Sequence, residues 1–110
     1  MWIFSKNNFL SLVEDLNNSD NLLVRARFSD DIESLFPNAE VKKYGGTDYM
    51  YRASISKEEA SEVMKNQVEN INYGNFKNSN TDVWRSSYLF DCWDSMKNAQ
   101  DVNEGQLKLW

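Results

Sequence analysis

The sequence predicts a single α+β domain: a two-layer sandwich with helices on one face of a mainly antiparallel sheet of four to five strands. Three observations predict it. Short segments of period-2 hydrophobicity crowd the first half, separated by turns too brief to join parallel strands. Longer segments of helical period, one with a capping box, fill the second half. Apolar residues make up 41% and aromatics 14% of 110 residues, enough for one core but not two. The order reads β-β-β-α-β(-β)-α-α, with the domain over 1–100 and a C-terminal tail over 101–110.

The first strand spans 2–5, and Asn7-Asn8 turns the chain into a second over 9–14. Asparagine tolerates left-handed backbone and bonds its own main chain, so the Asn-rich stretch 17–21 reads as the next turn. The third strand, 22–28, sets Val24, Ala26 and Phe28 on one face and Leu23, Arg25 and Arg27 on the other. A short helix follows. Asp30 at its N-cap with Glu33 three residues later has capping-box spacing, Ile32, Leu35 and Phe36 form its apolar side, and Pro37-Asn38 closes it. Residues 41–44, Gly45-Gly46 and 47–55 read as a hairpin or a bulged strand. There Tyr49, Tyr51, Ala53 and Ile55 alternate against Asp48, Met50, Arg52 and Ser54.

Ser56-Lys57-Glu58-Glu59 caps the second helix. Ala60, Val63, Met64, Val68 and Ile71 share its apolar face, and Glu58, Glu62, Lys65 and Glu69 its wet face. The third helix covers 82–99. Trp84, Tyr88, Cys92 and Met96 recur every four residues beside Leu89 and Trp93, a stripe that reads as core with Cys92 as a buried thiol.

Composition removes many chemistries. The chain has no histidine and one cysteine, which excludes His-based triads, an intrachain disulfide framework, and zinc sites built on Cys or His. Asp91 with Asp94, and Asp30-Asp31 with Glu33, have the carboxylate spacing of a metal site, but their helix positions read as solvated or capping acids. No metal and no cofactor are expected. Gly45-Gly46 lacks the further glycines and following helix of a phosphate loop. No run approaches the roughly 20 apolar residues of a membrane span, and the opening residues lack a signal-peptide pattern, so a cytoplasmic protein is expected. Twelve basic against seventeen acidic residues give −5, which argues against direct nucleic-acid binding.

Four surfaces remain as candidates. Arg25, Arg27 and Arg52 with Asp48, Tyr49 and Tyr51 form an anion-binding face, because guanidinium forks match carboxylates and phosphates. The alternative for these arginines is ordinary cross-strand pairing with Glu14, Glu40 or Asp48. Tyr73, Asn75, Phe76 and Lys77 mix aromatic and polar groups in a connecting loop, which either carries function or is pinned to the core. Glu58, Glu62 and Glu69 form an acidic helix face, and Leu107, Leu109 and Trp110 an apolar tail, both suited to a protein partner.

Several motifs together resemble a family of small uncharacterised bacterial and phage proteins that open with a MWIFT-x-x-GFFS-like run. They are Trp2-Ile3-Phe4-Ser5-Lys6 with Phe9 and Val13, Leu23-Val24-Arg25-Ala26-Arg27, Leu35-Phe36-Pro37, Thr47-Asp48-Tyr49 with Tyr51-Arg52, and Asn72-Tyr73-Gly74-Asn75-Phe76-Lys77. Trp93, Met96 and Gln100 complete the series. The chain departs from the family in Asn72, where relatives often carry Asp, in lacking histidine, and in its tail. The resemblance implies a shared fold and no reaction. Small size, acidity and the absence of nucleophile–base sets together lead to a non-enzymatic protein-binding module. By analogy with small acidic phage proteins, it would inhibit a host nucleic-acid-handling or defence complex, anti-CRISPR-like, acting in a bacterial cell or phage-infected host. A partner with a basic groove and a homodimer are the expected associations. The competing expectation is a small-ligand or anion-binding protein, or a cryptic enzyme, on the Arg/Tyr sheet face.

Overall fold

A computed structural model describes residues 1–105. They form two compact units, the first spanning Met1–Asn72 and the second beginning at Tyr73. The expected tail residues Leu107, Leu109 and Trp110 lie outside the described residues. An α+β fold is what the structure shows.

The first unit holds β1 (Trp2–Ser5), β2 (Asn8–Glu14), β3 (Asn21–Ala26), α1 (Asp31–Leu35), β4 (Lys42–Lys43), β5 (Tyr51–Ser56) and α2 (Lys57–Glu69). The five strands form one sheet in the order β1-β2-β3-β5-β4, and every adjacent pair is antiparallel. Asn7 makes the tight β1–β2 turn in the left-handed region, at φ 59°, a conformation Asn accepts at little cost. Gly46, at φ 81°, does the same before β5, where a side chain would be strained. Tyr44 donates its N–H to the Met50 carbonyl at 2.8 Å, closing this second loop.

One face of the sheet carries the core. Leu10 and Leu12 from β2, Val24 and Ala26 from β3, and Ala53 and Ile55 from β5 pack with Ile32 and Phe36 of the α1 segment and Ala60 of α2. Both helices of this unit cover that face, as the alternation predicts. Val63 and Met64 of α2 also pack there, but Val68 is 67% exposed and Ile71 is exposed too. The expected apolar face of α2 therefore serves the core through its first half only.

Two expected caps have different outcomes. Ser56 ends β5 and caps α2 directly, its Oγ accepting the Glu59 N–H at 3.1 Å. Asp30 makes no side-chain cap bond and sits at φ 71°. Its neighbour Asp31 is the acid that bonds to the sheet. Buried Asp31 accepts the Phe9 N–H at 3.1 Å through Oδ2, and its carbonyl accepts from the Asn8 amide. That amide also donates to Ser34 Oγ at 2.9 Å, so α1 is fastened to the start of β2. The capping-box spacing at Asp30 is outcompeted by this long-range network.

The second unit is dominated by α3 (Val83–Asn103). Its four-residue repeat is present, but the core assignment fails. Trp93 is 50% and Met96 70% exposed, and Trp84, Tyr88 and Cys92 are exposed as well. Only Leu89 and Arg85 of this helix are buried. Phe90, off the stripe, is exposed too, so the large apolar side chains spread around the helix rather than marking one buried side.

Phe36 and Ile32 are nearly inaccessible and seal α1 onto the sheet. Phe36→Ala should lower unfolding stability by about 3–5 kcal/mol in chemical denaturation. A loss under about 1 kcal/mol would mean that α1 contributes little to the core.

Candidate functional site

The open face of the sheet is built by the same alternation that fills the core. With Val24 and Ala26 committed inward, Arg25 must emerge on the opposite face, and Arg27, one residue past β3, does likewise. The register lines up Ser11, Arg25 and Arg52 across β2, β3 and β5, with Lys42 of β4 opposite Arg52. Trp2 of β1 extends this row beyond Ser11.

Arg25 and Arg27 both lie over the Tyr49 ring, their guanidinium carbons 4.5 and 4.1 Å from its centroid. Tyr49 is only 3% exposed. The period-2 reading groups Tyr49 with Tyr51 and Ala53, yet the structure separates them. Residues 47–50 bend before β5 starts at Tyr51, so strand parity does not carry back to Tyr49. Tyr51 packs against the core, with Lys43 Nζ 5.9 Å from its ring centroid. Of the six candidate residues, Arg25, Arg27, Asp48, Tyr49 and Arg52 are brought together and Tyr51 is not.

The three arginines differ in their partners. Arg27 Nη1 lies 3.1 Å from Asp48 Oδ1 and 2.9 Å from the Asp48 carbonyl. This is the Asp48 partner that the alternative for these arginines names, met outside β3 and β5 rather than across paired strands, and as an exposed pair it contributes about 0–1 kcal/mol. Arg25 Nη2 donates to Ser11 Oγ at 2.8 Å. Arg52 Nε donates to the Tyr49 carbonyl at 3.3 Å, and its guanidinium lies 5.9 Å from the Tyr44 ring centroid. Neither Arg25 nor Arg52 has a carboxylate within 4 Å among the described residues.

These groups border a concavity of about 630 Å³ lined by Val13, Leu23, Arg25, Lys42, Arg52 and Ser54, with Glu14, Asp15 and Glu40 also on its wall. Sequence reading misses Ser11, Lys42 and Ser54. Ser11 shows itself only through its alternation between Leu10 and Leu12, and Lys42 only through the β4–β5 register. The Asp15 carboxyl is held below its ordinary value of 3.8, first by the Ser54 hydroxyl and then by the Asn17 backbone N–H.

The other candidate residues belong to other elements. Glu58, Glu62 and Glu69 are exposed on α2, and Glu69 lies 3.9 Å from Lys65. In the second unit, Tyr73 and Phe76 form a tilted ring pair at 5.9 Å. Asn75 Oδ1 accepts the Asn78 N–H at 3.2 Å, so this loop is organised by its own turn. Lys77 Nζ sits 5.5 Å from the Phe90 ring centroid and 5.2 Å from that of Trp93, which ties the loop to α3. Among the described residues no group of three or more Cys, Asp or Glu could hold a metal, and no helix is long and apolar enough to cross a membrane. Compared with known proteins, the chain matches no family model, no curated protein and no solved structure. The family resemblance rests on its short motifs alone.

Asp15 gives a pH-dependent signature for this face. A lowered folded-state pKa means that its stabilisation is present above the ordinary carboxylate range and is lost as pH falls through the lowered value. Ser54→Ala should raise the Asp15 pKa toward 3.8, read by carboxyl NMR titration. An unchanged titration in that variant would rule out the hydroxyl as the main cause.

Proposed function

We propose that the chain is a non-enzymatic protein-binding module whose second unit offers α3 to a partner. The observation that supports this most is the exposure of Trp84, Tyr88, Trp93 and Met96 on one helix. Large exposed apolar side chains on one helix suit association, and Trp and Tyr are enriched among the residues that dominate binding energy. Water leaves these rings on association, and that release supplies the affinity.

The finer reading concerns charge. The net charge of −5 and exposed Glu58, Glu62 and Glu69 on α2 support a partner with a basic groove. A small acidic inhibitor of a nucleic-acid-handling or defence complex, acting in the cytoplasm of a bacterial or phage-infected cell, fits that pattern. Carboxylates along a helix share the sign of a phosphate backbone. Long-range attraction would raise the association rate and fade with salt, since screening acts over about 8–10 Å at physiological ionic strength.

The test is capture from a bacterial lysate with the intact chain and two variants. Trp93→Ser should lose the captured protein while shifting unfolding stability by no more than about 0.5 kcal/mol, the usual range for a surface change. Reversing Glu58, Glu62 and Glu69 to Lys should slow association at low salt and matter less at high salt. Sedimentation of the purified chain identifies a second copy as the partner if self-association is lost with Trp93→Ser. Unaltered capture by both variants would sink the proposal, and a large stability loss in Trp93→Ser would place that ring in a core instead.

A further inference from the structure

The open sheet face presents an electrostatic imbalance that the protein-binding reading does not use. Arg25 and Arg52 are directly opposite each other on β3 and β5, and Lys42 is directly opposite Arg52 on β4. Residues so paired have Cβ atoms about 4.5–5.5 Å apart, and like charges in that relation oppose sheet formation. The usual remedy is visible beside them, where Arg27 is paired with Asp48 at 3.1 Å. Arg25, Arg52 and Lys42 have no carboxylate within 4 Å among the described residues. Three cations in one row are thus left without the compensation given to the fourth.

What holds the two guanidiniums is neutral. Ser11 Oγ accepts one N–H of Arg25, and the Tyr49 ring lies under its guanidinium at 4.5 Å. The Tyr49 carbonyl accepts the Nε of Arg52. These contacts fix position without consuming charge. Arg25 Nε is buried and has no hydrogen-bond partner, which normally costs about 1–3 kcal/mol and calls for an explanation. The arrangement combines orientation by neutral groups, donors left over, and charge that no carboxylate contacts directly. An incoming oxyanion would supply all that is missing.

The geometry points to a binding site for a compact oxyanion, the phosphate or carboxylate group of a small molecule, seated between Arg25 and Arg52 and reached by Lys42. Its neutral body would lie along the concavity over Val13 and Leu23, the apolar neighbours of the row on β2 and β3. Glu14, Asp15 and Glu40 on the same wall set the size of the charge. They repel an extended polyanion, so the site takes one anionic group and not a nucleic-acid backbone. Lys42, exposed at the sheet edge, adds attraction, whereas the half-buried arginines add the directional fork.

The experiment is an NMR titration of the full-length ¹⁵N-labelled chain with inorganic phosphate, benzoate and a single-stranded oligonucleotide in turn. Saturable shifts at Ser11, Arg25 and Arg52 with phosphate, benzoate or both are expected, and which arm saturates identifies the source of the oxyanion. Arg25→Gln and Arg52→Gln should each weaken binding by about tenfold or more, the scale of a lost charge-assisted hydrogen bond. Lys42→Gln should weaken it less, and Arg27→Gln should leave it nearly unchanged, because Arg27 is already paired. Melting gives a second readout. Arg52→Gln should melt no lower than the parent without anion, since it relieves repulsion, and phosphate should raise the melting temperature of the parent and of Arg27→Gln but much less that of Arg52→Gln. The proposal is overturned by an absence of saturable shifts with either small anion, by equal loss in Arg27→Gln, by a marked drop in the melting temperature of anion-free Arg52→Gln, or by oligonucleotide binding tighter than phosphate. None of these measurements touches α2 or α3, so this site and the protein-binding reading stand or fall separately.

Discussion

β3 is hydrogen-bonded to β2 on one side and β5 on the other, and its alternation governs both faces of the sheet. Val24 and Ala26 can be buried only if Arg25 and Arg27 are not. A slip of one residue against either neighbour would drive two guanidiniums into an apolar core, where an unpaired charge costs several kcal/mol. The register is therefore held by the penalty for every alternative as much as by the contacts it makes. Because β5 pairs with β3 over its full length, the same penalty fixes Arg52 beside Arg25 and Ala53 beside Val24.

The two faces of this one strand illustrate opposite ways of handling polarity. On the core side, buried Asp31 and the Asn8 amide nitrogen bond to the Phe9 N–H, the Asp31 carbonyl and Ser34, which offsets most of the cost of polar groups beneath α1, while Asn8 Oδ1 is buried without a partner. On the open side, Tyr49 provides a nearly inaccessible aromatic floor with charges on it rather than around it. A tyrosine can do this because its ring face attracts cations.

Strand positions and inward-facing residues in the first unit were legible because period 2 is strictly enforced where one face is dry. Val24, Ala53 and Ile55 are buried as the alternation requires. The capping box at Ser56 was legible for a local reason: its hydroxyl and the Glu59 N–H are three residues apart and need nothing else. The misread elements depend on distant partners. Asp30 has the right local spacing, but Asp31 is captured by Phe9 from across the chain. Tyr49 keeps the alternation in sequence, but the bend at 47–50 removes its physical basis. The repeat of Trp84, Tyr88, Cys92 and Met96 specifies a helix, yet periodicity cannot supply the surface that would bury it. The anion row was half legible: its arginines announce themselves, but Ser11 and Lys42 join them only through pairing registers.

The two edges of the sheet are not equivalent. β4 consists of Lys42 and Lys43 alone, a strand too short and too charged to template another, which is a common protection against edge-to-edge aggregation. β1 is longer and carries exposed Trp2 and Phe4, the latter stacked on Phe9 at 4.3 Å. Its sticky side chains lie beside a backbone that, among the described residues, pairs with β2 alone. Of the two edges, β1 is therefore the one open to edge-to-edge association, where a single lysine or proline would blunt the exposed border as β4 already is.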